Sequence, residues 1–125
     1  APGVASAQVA RVRELAERCR REGMTQHAAV QARLRILLLE ALAAAAASEG
    51  SCAQASLDEA WSLLSEVRRW FGEPWNPLGY CWGVHLAEPI SVLIGALRAA
   101  PGAGHRERAE TLESLLRGEA QACLE

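Results

Sequence analysis

The chain has 125 residues, half of them apolar, and a formal net charge of −2. That length suffices for one domain with its own core. The near-neutral charge excludes a broad electrostatic pull toward nucleic acid, and the most apolar run, Ile36 to Ala47, is too short and too interrupted to cross a membrane.

Val, Ile and Thr are sparse, while Leu, Ala, Glu and Arg dominate, so an all-α fold is expected. The first helix is predicted over roughly Ser6 to Glu22. Val9, Val12, Leu15, Ala16 and Cys19 form its inner stripe at helical spacing, and Gly23 stops it. Arg11, Arg13, Arg18, Arg20 and Arg21 make this helix locally basic. Interleaved Glu14, Glu17 and Glu22 favour a salt-bridged, solvated face over a phosphate or acidic-peptide site.

Thr25 is the predicted N-cap of a second helix reaching Ser48. Val30, Leu34, Leu37, Leu38, Ala41, Leu42 and Ala45 give it a wide apolar face, which Ile36 and Leu39 widen further. The helix is therefore expected to be central and buried on more than one side. A third helix is predicted from Leu57 to Phe71, with Ser56 and Glu59 as a capping box, Asp58 serving its start, and Ala60, Trp61, Leu64, Val67 and Phe71 facing inward.

Asn76 caps the next predicted helix and Pro77 takes its first position. Pro89 lacks a donor and crowds the carbonyl of His85, so a break is expected near Glu88. A further helix then runs to Ala99 and carries Ile90, Leu93, Ile94 and Leu97. Pro101 to Gly104 is a loop. The last helix runs from His105 to Leu124, with Ala109, Leu112, Leu115 and Leu116 inward and Gly118 as a weak point. Five or six antiparallel helices follow, in a single domain over residues 1–125. The chain starts without Met and stops inside a helical pattern, so it is expected to be a fragment of a longer protein.

Ala60 and Leu64, followed by Trp75-Asn76-Pro77-Leu78-Gly79-Tyr80-Cys81-Trp82, place a small and a large residue before a W-x2-L-G-x2-aromatic run. Leu93, Ala96 and Pro101 loosely continue the pattern. Over roughly residues 25–101 the chain resembles an irregular array of tetratricopeptide (TPR) helical hairpins. The resemblance implies an all-α, TPR-like stack that acts as a scaffold or adaptor for protein–protein interaction and performs no catalysis.

Five of the six aromatics fall within residues 70–82: Trp70, Phe71, Trp75, Tyr80 and Trp82. They suit either a contact surface or a local core. The expected groove lies between the second and fourth helices, with Arg33, Leu37, Trp75, Trp82 and His85 as partner-binding residues and Arg at the rim selecting acidic groups. The partner is another protein or a neighbouring domain of the same chain, not nucleic acid and not a membrane. A homodimer through exposed helix faces is an alternative.

Cys81, His85 and Glu88 share a helical face, the arrangement of a small-ligand or metal site, but no second ligand pair accompanies them. No catalytic residue, metal or cofactor is assigned. His27 and His105 are expected to be solvated at helix starts. Cys19, Cys52, Cys81 and Cys123 form no C-x-x-C. Two disulfides remain open to them, but scattered thiols suit a reducing compartment, and a cytoplasmic location is expected.

Overall fold

The computed structural model describes residues 2–49, 54–68, 82–100, 102 and 104–124. Of residues 2–5, 25, 68, 82–85 and 119–124 it describes the backbone alone. The fold is all-α. Helix α1 spans Pro2–Arg21, a 3-10 turn Met24–Gln26, α2 Ala28–Glu49, α3 Gln54–Arg68, α4 Trp82–Ala99 and α5 His105–Leu124, and no strand occurs among the described residues.

Gly23 ends α1 as its position predicts. Its φ of 74° is left-handed, and its N–H bonds to the Arg20 carbonyl at 3.1 Å. Thr25 does not cap α2, because it lies inside the 3-10 turn. His27 stands at that place instead: it has extended backbone, and its carbonyl accepts the Gln31 N–H at 3.1 Å.

Helix α2 is the centre of the molecule and packs against α1, α3 and α4. Its apolar residues surround the axis, which is why three neighbours can bury it. Ala32, Ile36, Leu39, Ala43 and Ala46 are almost fully enclosed, whereas Val30, Leu34, Leu37 and Leu38 are only half-buried. The alanines let neighbouring backbones come close, and the branched residues fill the space between them.

The core is aliphatic and built from α2 to α5. Leu57, Ala60, Leu64 and Val67 come from α3, Leu86, Ile90, Leu93 and Leu97 from α4, and Ala109 and Leu112 from α5. Each fully buried Leu or Ile stabilises by about 1.5–3 kcal/mol relative to exposure. Among the described side chains, helix α1 reaches this core through Val9 at its edge. Cys19 of α1 is buried and free, but Leu15, expected inward, is 40 % exposed.

Two expected helix boundaries are corrected. Helix α3 begins at Gln54, so Ser56 lies inside it and is not a cap. Asp58 sits in its second turn and accepts from the Gln54 side chain one turn earlier at 2.9 Å. Helix α4 runs unbroken through Pro89. The ring removes one backbone donor, but burial of Leu86 before it and of Ile90 and Leu93 after it holds both halves in one line. The cap expected at Asn76 and Pro77 lies outside the described residues.

Candidate functional site

An open cleft of about 610 Å³ lies between α1 and α2, over α3. Val12 and Ala16 of α1, Leu34 and Leu38 of α2 and Leu63 of α3 form its apolar floor. Arg13, Glu17, Arg20 and Arg35 stand around it. The floor exists because α1 presents small or short apolar side chains to α2 and cannot seal the space over Leu63.

The rim is held in place by ion pairs. Arg13 Nη2 donates to both carboxylate oxygens of Glu59, at 2.6 and 2.8 Å, tying α1 to α3. Arg35 Nε donates to Glu66 Oε1 at 2.8 Å, tying α2 to α3. Arg20 forks onto Glu17 within α1 through Nε and Nη2. The hydrogen bond from Arg20 holds the Glu17 carboxyl below its usual pKa, and the bond to Glu59 raises that of Arg13. The solvated, salt-bridged face expected for α1 is thus present at Arg20, whereas Arg13 is turned to another helix.

A second groove, of about 230 Å³, lies between α2 and α4, lined by Glu40, Ala44, Glu88, Pro89 and Val92. Leu37 and Arg33 continue the Glu40–Ala44 stripe toward the start of α2, by one and two turns. Arg33 is exposed and Leu37 half-buried. Of the other expected partner-binding residues, Trp75 lies outside the described residues, and Trp82 and His85 are described only as backbone in the first turn of α4. Trp70, Phe71, Tyr80 and Cys81 also lie outside them.

A polar cluster joins α3 to the start of α5, and the sequence reading missed it. His105, expected to be solvated, is only 4 % exposed. Its Nε2 lies 2.8 Å from Gln54 Oε1, while Gln54 Nε2 donates to Asp58 Oδ2 at 2.9 Å. Arg108 Nη1 donates to Asp58 Oδ1 at 2.8 Å and its guanidinium lies 5.1 Å from the centre of the Trp61 ring. The Gln54 amide and then Arg108 hold the Asp58 carboxyl below its ordinary pKa.

The chain of donors fixes the role of Nε2. The carboxylate of Asp58 only accepts, so Gln54 gives it N–H and turns its oxygen to His105. Nε2 therefore carries a proton and donates to Gln54. Nδ1 is buried with no hydrogen-bond partner among the described residues. The sequence signal was present in Gly102, three residues before His105, whose missing side chain makes room for the ring.

Among the described residues no three His, Cys, Asp or Glu side chains gather as a metal site. Among them, too, no helix is long and apolar enough to cross a membrane. Comparison with protein-family models, curated proteins and solved structures yields no match to this chain.

Proposed function

We propose that this chain is a non-enzymatic protein–protein interaction module, an adaptor of TPR-like helical hairpins that holds a helical segment of another protein or of a neighbouring domain. The observation that carries the reading is the α1–α2 cleft. Five apolar side chains from three helices line it, and four of them, Val12, Ala16, Leu34 and Leu38, are only half-buried. Covering such a floor stabilises a complex by about 25 cal/mol per Å² of apolar surface removed from water, before the costs of association.

The hairpin character rests on short connections. Only residues 22–27 separate α1 from α2, 50–53 separate α2 from α3 and 100–104 separate α4 from α5. Such lengths bring successive helices back alongside one another. The smaller α2–α4 groove, with Arg33 and Leu37 in line, is the other docking strip on this reading. A cytoplasmic setting agrees with Cys19, a buried free thiol.

The test is paired affinity capture with the full chain. Ala16→Arg fills the α1–α2 cleft from a half-exposed position, and Arg33→Glu reverses charge beside the α2–α4 strip. Circular dichroism checks that both variants stay helical. A protein retained by the parent chain and by Arg33→Glu, but lost on Ala16→Arg, places docking in the α1–α2 cleft. The reverse pattern moves it to the α2–α4 strip. Equal retention by all three removes both.

A further inference from the structure

We infer that the occupant of the α1–α2 cleft is an amphipathic helix of a partner protein, with acidic residues flanking its apolar stripe; this rests on the cleft being the docking surface. The first argument concerns backbone. The cleft walls are helices, whose own N–H and C=O groups are spent internally. An extended peptide laid there would bury much of its backbone against the apolar floor, where only the rim side chains, Gln31 and the arginines, could pair it. A helix arrives with those bonds already made.

Length agrees with this. From Val12 to Arg20, α1 lines the cleft over about 12 Å at ~1.5 Å per residue. Apolar residues at i, i+3 or i+4 and i+7 of a facing helix cover nearly the same span. The small Ala16 at mid-cleft leaves depth for one larger side chain of the partner.

The rim sets the charge. Three guanidiniums and one carboxylate line the cleft, and Arg20 already holds that carboxylate, Glu17, with two of its nitrogens. Arg13 uses Nη2 alone for both bonds to Glu59, so among the described residues its Nε and Nη1 meet no acceptor, and neither does Nη1 of Arg20. Both side chains are at least half exposed. Glu59 and Glu66 outside the rim balance the formal charge, so long-range attraction is weak. The existing pairs instead hold guanidiniums in place with donors to spare. Carboxylates are acceptor-only and suit such forks, whereas an ammonium would meet donors with a donor.

A display library of helix-stabilised peptides tests this. Leu is fixed at i, i+3 and i+7, the flanking positions are randomised, and selection on the full chain is followed by counter-selection on Ala16→Arg. Asp and Glu should be enriched at the flanks, and Arg13→Gln should weaken the selected peptides about tenfold, as expected for one lost charge-assisted hydrogen bond. If Ala16→Arg does not fold, Arg13→Gln and Arg20→Gln, at exposed positions, carry the comparison. Enrichment of Lys or Arg, absence of any charge preference, or a bound peptide that NMR shows to be extended would overturn the inference while leaving the docking reading standing. Failure to select any cleft-dependent peptide would remove both.

Discussion

The imidazole of His105 lies so close over Gly102 that a Cβ built on Gly102 would stand 2.6 Å from Cδ2 and 2.8 Å from Nε2. The Gly102 φ of 155° also lies in the region where side chains are strained. Gly102→Ala is therefore expected to destabilise the fold by about 1–3 kcal/mol, read as a lower urea midpoint. In a Gly102→Ala, His105→Ala double variant part of that loss should disappear, because the clash is relieved. Additive losses would show that backbone strain alone is responsible.

Acid should weaken the α3–α5 junction through Asp58. Its carboxyl pKa is lowered in the folded chain from an ordinary 3.8, first by Gln54 and then by Arg108. A depressed carboxylate contributes stability above its unfolded pKa and loses it as pH falls through the folded one. The stability difference between the parent and Asp58→Asn should thus be constant near neutrality and shrink below pH 3.8. A difference that grew on acidification would contradict the assignment.

Arg108 and Trp61 should be energetically coupled. The guanidinium 5.1 Å from the ring centre predicts a coupling of about 0.5–1 kcal/mol in a double-mutant cycle of Arg108→Ala and Trp61→Leu. Because Arg108 also binds Asp58, the cycle is best repeated in Asp58→Asn. A coupling that vanished there would belong to the ion pair and not to the ring.

Pro89 offers a test of the continuous α4. Alanine restores a backbone donor toward the His85 carbonyl but removes a buried ring. The helix term exceeds the burial term, so Pro89→Ala should stabilise by about 1 kcal/mol in urea denaturation. A clear loss of stability would mean that the ring's packing outweighs the missing bond.

Much of this fold is legible in the amino-acid order. Pro101 to Gly104 is an explicit stop, and α5 begins at His105 and reaches Leu124 as its spacing predicts. The centrality of α2 follows from apolar residues on every side, but that same evenness hides which face lies deepest. Leu34, Leu37 and Leu38 look like core yet are half-buried, while Ala32 and Ala43 are enclosed. Ser56 and Glu59 match a capping box, but Gln54 can extend the helix because its own side chain ties one turn ahead to Asp58.

The candidate site was less readable. Val12 and Ala16 were legible as an inner stripe, but whether a stripe is sealed or left as a cleft depends on how close α1 comes to α2. Periodicity does not encode that distance. The burial of His105 depends on Gly102 and Gln54, which are far from each other in sequence and meet only in three dimensions.

Among the described side chains, helix α1 touches the shared aliphatic core at Val9 and packs chiefly along α2. Its amides should exchange with deuterium sooner than those of α2 or α4, since it packs chiefly on one neighbour and adds little to the shared core. Recognition could then be switched off by undocking one wall while the remainder stays folded. A ligand in the cleft would act as a clasp, and protection of α1 against exchange would report its arrival.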